Sequence, residues 1–152
     1  REFYFDKFNI RPVCTSGGFD PLHVGHVRCI QETSVFARKL QTPCVVIVNG
    51  DSFLSRKKGK PFMSLDERME IIGSLFGVDY VVPWDDGTQY VTECIRVLNP
   101  IIFAKGGDRS SPELVPEFQL CQEIGCEVRF GVGGNTKVQS SSTLITNSKD
   151  YK

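Results

Sequence analysis

Apolar and polar positions along this 152-residue chain alternate between two rhythms. Short runs of consecutive apolar residues suit strands buried on both faces, and longer stretches with apolar residues three or four apart suit helices. Residues 12–16 read as a first strand that ends in a glycine turn, Gly17-Gly18. Residues 24–40 read as a helix with apolar positions at 24, 27, 30, 35, 36 and 40. Residues 44–49 form a near-continuous apolar run, the pattern of a central parallel strand. A polar, lysine-rich loop follows at 52–61. Ser64-Leu65-Asp66-Glu67 has the spacing of a capping box and opens a helix that runs to Leu75.

The alternation continues to the C-terminal end. Residues 80–82 read as a third strand and 88–98 as a helix stopped by Asn99-Pro100. Residues 101–104 read as a fourth strand, broken by Lys105-Gly106-Gly107-Asp108. Residues 112–124 read as a helix ending at Gly125, 127–131 as a fifth strand, and 140–146 as the start of a last helix. Strands that alternate with helices predict an α/β fold, a doubly wound five-stranded parallel sheet in a single domain. The domain is expected over 12–147, after an N-terminal extension at 1–11 and before a tail at 148–152. In such sheets ligands bind beyond the strand C-terminal ends, where the winding reverses. The glycine turn, the lysine loop and the break at 105–108 should therefore share one rim.

Composition narrows the class. Eighteen basic and eighteen acidic residues balance to zero net charge. That argues against a dedicated nucleic-acid or membrane-surface binder, which carries a basic excess. No apolar run approaches the roughly 20 residues that span a bilayer, and no signal-peptide pattern opens the chain. The six cysteines, Cys14, Cys29, Cys44, Cys94, Cys121 and Cys126, form no C-x-x-C pair. They are expected to be reduced and mostly buried, as in a cytoplasmic protein. Arg1 in place of Met suggests a piece of a longer chain, and Asp150-Tyr151-Lys152 matches the start of an epitope tag.

The chemistry concentrates around the only two histidines. His23 and His26 stand three residues apart in Asp20-Pro21-Leu22-His23-Val24-Gly25-His26, directly after Gly17-Gly18-Phe19. Glycines let the backbone approach phosphate oxygens closely. A helix N-terminus adds unpaired N–H groups and a partial positive charge. At this spacing both imidazoles should project from one face of the first turn. A metal site built on His23, His26 and Asp20 is the competing reading, and neither a third histidine nor a cysteine of ligand spacing supports it. The run is not G-x-G-x-x-G, so the dinucleotide fingerprint is absent.

Gly18-Phe19-Asp20 followed by His23-Val24-Gly25-His26 resembles the signature of the nucleotidyltransferase superfamily with the H-x-G-H motif. The similarity extends through Asn49-Gly50-Asp51, the lysine loop, Glu67-Arg68-Met69, Val78-Asp79-Tyr80-Val81-Val82 and Lys105-Gly106-Gly107-Asp108. In that order these resemble the adenylyltransferase domain of ADP-heptose synthases, with glycerol-3-phosphate cytidylyltransferases next. The resemblance implies a Rossmann-like fold and in-line transfer. A phosphate oxygen of the acceptor attacks the α-phosphorus of a nucleoside triphosphate, and pyrophosphate leaves.

By that resemblance His23 and His26 contact the α-phosphate and, with Lys60, form the catalytic set. Gly18, Phe19, Asp20, Gly25, Arg68, Lys105, Gly106, Asp108, Ser140, Ser141, Ser142 and Thr143 are expected around the nucleotide. Gly17, Asp51, Lys57, Lys58 and Trp84 are expected around the acceptor. On the residues alone, the lysine loop is equally a solvated face, Arg68 a surface ion pair, Lys105 to Asp108 an ordinary turn, and the serine run a helix cap. The cytidylyltransferases carry an arginine shortly upstream of that serine run, where this chain has Lys137. That departure weakens the cytidylyl match, and the resemblance at Lys105 to Asp108 puts adenylyl transfer slightly ahead of cytidylyl transfer. Mg²⁺ is expected to arrive on the phosphates rather than in a protein cage. Related enzymes are often dimers, which makes a homodimer the expected assembly. A non-catalytic nucleotide-binding regulatory domain is the alternative from another class.

Overall fold

Among the described residues every strand is parallel to its neighbours, so each connection between them must cross over a sheet face. The structure, a computed structural model, describes residues 9–52, 54, 60–88, 90–107 and 117–134. Nine elements follow in order: β1 Val13–Gly17, α1 Val24–Leu40, β2 Cys44–Asn49, α2 Leu65–Gly73, β3 Tyr80–Trp84, α3 Thr92–Leu98, β4 Ile102–Gly106, α4 Phe118–Glu123 and β5 Glu127–Val132. The sheet order is β3-β2-β1-β4-β5, the expected doubly wound α/β arrangement. The winding reverses between β1 and β4, which places the crevice of the switch point at the C-terminal end of β1.

Two cores form, one on each face. Ile30 of α1 and Ile72 of α2 pack with Val46 and Val48 of β2. On the other face Cys94, Ile95 and Leu98 of α3 and Leu120 and Cys121 of α4 pack with Cys14, Val45, Ile47 and Phe103. Alternate residues of β2 thus serve opposite cores, and all six of its residues are buried.

Several boundaries and one helix face differ from expectation. Helix α1 keeps its expected span, but its buried residues are Ile30, Thr33, Ser34 and Ala37. Val24 and Leu40 are exposed. The small hydroxyl residues lie against the sheet because each satisfies itself along the helix: Thr33 Oγ1 donates to the Cys29 carbonyl and Ser34 Oγ to that of Gln31, both at 2.7 Å. Strand β3 continues to Trp84 through Pro83, which an edge strand tolerates. Strand β4 includes Lys105 and Gly106, so the turn starts only at Gly107. Helix α3 starts at Thr92 rather than 88, because the Asp86 carboxylate accepts from the Thr88 N–H and hydroxyl at 3.0 and 2.7 Å and closes a turn there. Helix α2 ends at Gly73, two residues early. The helix expected over 112–124 is seen as Phe118–Glu123, and its expected start lies outside the described residues. The helix expected at 140–146 also lies outside them.

The far end of the sheet is tied by Arg11, whose guanidinium donates to the carbonyls of Asn99, Pro100 and Ile124 at 3.2, 2.9 and 2.9 Å. Arg11→Ala should lower the unfolding free energy by about 1–3 kcal/mol, since it strands carbonyls that this one fork now serves, read as a lower denaturant midpoint.

None of the six cysteines is in a disulfide, and five of them are buried. Burial pushes the thiols of Cys14 and Cys29 up, and that of Cys44 up to about 12. A thiol harder to ionise folded than unfolded stabilises the fold below its ordinary value of 9.0 and loses that contribution as pH climbs towards the raised one. Unfolding free energy should therefore fall between pH 9 and about 12. Cys44→Ala should flatten that decline, as measured by denaturant titration at several pH values.

Candidate active site

The chain leaves β1 through Gly17 and Gly18, both of which pack closely against neighbouring side chains. A Cβ on Gly17 would lie 3.0 Å from the Phe19 ring, and one on Gly18 would lie 2.8 Å from Leu54 Cδ2. Phe19 turns inward with φ of 53° and is 5% exposed. Its ring meets that of His26 edge-on at 5.1 Å. Phe19 is therefore a wall under the histidines.

His23 is the N-cap of α1 rather than a residue of its first turn. Its Nδ1 accepts from the Gly25 N–H at 3.1 Å, while His26 Nδ1 accepts from the His23 N–H at 3.2 Å. This is a capping box made with imidazoles in place of the usual hydroxyl and carboxylate. The rings stack, with centroids 3.7 Å apart and planes 25° off parallel. With both Nδ1 atoms accepting, the proton of each neutral ring sits on Nε2. Two parallel Nε2–H donors thus stand at the mouth of a 17-residue helix, as the spacing predicted. Gly25 is part of the device, because a Cβ there would lie 3.0 Å from His23 Cε1.

Asp20 and Arg68 hold the surrounding loops. Asp20 is 1% exposed, and its two carboxylate oxygens accept from the backbone N–H groups of Phe62 and Met63 at 2.7 and 2.6 Å. It pins the segment carrying Lys60, which is itself exposed. Arg68 is fully buried rather than a surface ion pair. Its Nε donates to the Met63 carbonyl at 3.1 Å, and its Nη1 to those of Gly18 and Asn49 at 2.9 and 2.6 Å. Nη2 donates to Asp51 at 2.7 Å, and that carboxylate is half exposed. One guanidinium thus joins the ends of β1 and β2 to the start of α2, and Asp51 is its counter-ion.

Across the switch point, Lys105 lies over the Phe103 ring at 5.2 Å. Gly106 packs so closely that a Cβ would meet Cys29 Sγ at 3.1 Å and the Val132 carbonyl at 3.2 Å. Gly133 is tighter still: a Cβ would sit 2.6 Å from the Cys29 backbone nitrogen. Its own N–H donates to Glu32. Trp84 ends β3 opposite Asn49 in register, with Asp85 and Asp86 beyond it. Hydrogen bonds from Thr88 first, with the Trp84 indole beside it, hold the Asp86 carboxyl below the usual range.

The rim therefore gathers Gly17, Gly18, His23, Gly25 and His26, with Lys60, Asp51 and Trp84 towards β2 and β3, and Lys105 and Gly106 on β4. Phe19, Asp20 and Arg68 lie beneath it. Lys57, Lys58, Asp108, Ser140, Ser141, Ser142 and Thr143 lie outside the described residues. No group of three or more His, Cys, Asp or Glu side chains converges on a metal position among the described residues. Asn49, quoted above only within a longer motif, is the residue whose place was missed. Its signal was a polar side chain closing an otherwise apolar strand.

Arg68→Lys should destabilise the chain by about 2–4 kcal/mol, because an ammonium cannot span the carbonyls and carboxylate that the planar fork serves. Thermal unfolding measures this. Gly25→Ala should leave the fold intact and displace the His23 ring, visible as a changed imidazole NMR shift.

Residues 14–147 match the family model described as cytidylyltransferase-like. The chain is 33% identical over 144 residues to the bifunctional protein HldE of Pseudomonas putida, covering 90% of this chain and 27% of that protein. It is 41% identical over 120 residues to HldE of Syntrophotalea carbinolica, covering 78% and 23%. The chain thus spans about a quarter of the length of these relatives. Among solved structures, the lipopolysaccharide core biosynthesis protein of Thermoplasma volcanium superposes with a TM-score of 0.62 at 25% identity, over 86% of this chain and 99% of that one. The paired-histidine helix mouth, the reversed sheet order and these matches agree, and the chain belongs to the cytidylyltransferase-like family of nucleotidyltransferases.

Proposed function

We propose that this chain transfers a nucleoside monophosphate from a nucleoside triphosphate to a small phosphorylated acceptor, a sugar or polyol phosphate, and releases pyrophosphate. AMP from ATP is the preferred pair, because relatives with 33 and 41% identity are HldE proteins and the Lys105-Gly106-Gly107-Asp108 motif follows the adenylyltransferase pattern. CMP from CTP, the glycerol-3-phosphate type, ranks second. The observation that carries the reading is the stacked pair of Nε2–H donors at the N-terminus of α1.

Such donors suit an α-phosphate better than a proton shuttle. Both rings use Nδ1 to accept from the backbone, so their geometry is fixed before substrate arrives. A phosphate oxygen of the acceptor attacks the α-phosphorus, and the bond to the pyrophosphate oxygen breaks. Negative charge grows on the equatorial oxygens, where fixed donors and a helix N-terminus stabilise it. No protein nucleophile is needed, so positioning and charge neutralisation account for the catalysis. Lys60 adds a mobile positive charge at the same rim. The Gly106-Gly107 backbone lets the nucleotide approach β4 closely. Mg²⁺, when it arrives on the triphosphate, supplies further neutralisation of the leaving group.

Pyrophosphate release should be measured with ATP, CTP, GTP and UTP against a panel of sugar and polyol phosphates in the presence of Mg²⁺. Turnover with ATP and at least one acceptor is expected. Nucleotide binding without release in any pair would favour the regulatory alternative and end the enzyme reading. His23→Ala and His26→Ala should each slow turnover by on the order of 10²–10³. A rate left intact in either variant would remove that histidine from the mechanism.

A further inference from the structure

Asn49 occupies an unusual position. It is the last residue of β2, the strand beside the switch-point strand, and is 8% exposed. Its carbonyl accepts from Arg68 Nη1 at 2.6 Å, and the N–H of the following residue, Gly50, donates to the Trp84 carbonyl at 3.0 Å. Its side-chain Oδ1, by contrast, is buried and accepts no hydrogen bond among the described residues. Buried polar atoms are almost always satisfied, and an orphan at a strand C-terminal end points to a donor that comes with a ligand.

The side of the sheet is fixed by alternation. Val45 and Ile47 serve the α3 and α4 core, so Asn49 faces the same way. So does Trp84, directly opposite it in register and packed against that core. Asp85 lies so close that a Cβ on Gly50 would sit 2.6 Å from its own Cβ. The amide oxygen thus lies on the α3 and α4 side of the sheet, beside the indole at the end of β3. If the nucleotide spans β1 and β4, as proposed above, the ends of β2 and β3 are left to the acceptor.

We propose that Asn49 is a specificity residue of the acceptor site: its amide oxygen takes a hydrogen bond from an acceptor hydroxyl beside the Trp84 indole. This rests on the acceptor being a sugar or polyol phosphate. A site that holds a buried acceptor atom discriminates sharply against a ligand lacking the matching donor, because the atom is then left unpaired. Asn49 touches a hydroxyl remote from the reacting oxygen, so it governs which acceptor binds.

Trp84 is the only tryptophan of the chain, so its emission reports on this corner directly. Glycerol 3-phosphate and a set of aldose 1-phosphates should be titrated with the chain saturated by a non-hydrolysable ATP analogue, each alongside its singly deoxygenated counterparts. At least one hydroxylated acceptor should shift the Trp84 emission, and one of its deoxy counterparts should bind about tenfold more weakly, the scale of one lost hydrogen bond. Asn49→Leu should bring that ratio close to unity and leave the affinity for the nucleotide analogue unchanged. Pyrophosphate release combined with equal affinity for every deoxy counterpart would overturn the proposal without any variant. An unchanged ratio in Asn49→Leu would also overturn it, and either result leaves the transferase reading standing. Absence of pyrophosphate release with every acceptor would overturn both.

Discussion

The site depends on one buried guanidinium. Parallel strands end in loops that have no ladder partners of their own, and those after β1 and β2 meet above the sheet. Arg68 accepts this burden by donating to the carbonyls of Gly18, Asn49 and Met63 at once. A buried arginine is tolerable only when its donors are used and a counter-ion is near. The carbonyls and Asp51 meet both conditions. Asp20 does the complementary task with negative charge, gathering the N–H groups of Phe62 and Met63. Two buried charges of opposite sign thus shape the floor on which the histidines and Lys60 stand.

Much of this fold was legible because its strands are short and apolar. Residues 44–49 gave β2 without error, and the two ends of α1 matched as well, since a glycine turn precedes it and Thr42-Pro43 follows. The face of α1 was not legible. Hydrophobic counting favoured Val24 and Leu40, whereas the sheet takes Thr33, Ser34 and Ala37, whose small size permits close approach. The start of α3 was hidden for a different reason: a side chain, Asp86, competes with the helix for the backbone. Pattern reading has no access to that competition.

The site divides in the same way. Spacing alone brought His23 and His26 to one place, because a helix turn enforces it. Their capping of each other's backbone was not foreseeable, since imidazoles seldom serve as both halves of a capping box. Arg68 looked like a residue of an exposed helix turn, with Asp66 and Glu67 beside it. Burial was decided by loops that are distant in sequence, Gly18 and Asn49, and no local window contains them. Asn49 was overlooked because a polar residue at a strand end is ordinary until its surroundings are known.

Cys29 has a role that reaches beyond its own helix. It is touched from β4 at Gly106 and from the turn after β5 at Gly133, at distances that leave no room for a methyl group on either glycine. The helix carrying the histidines is thereby wedged between two strand ends about one turn away from its N-terminal mouth. Any tilt of α1 must drag the exits of β4 and β5 with it. The histidine pair and the ends of β4 and β5 therefore form one mechanical unit.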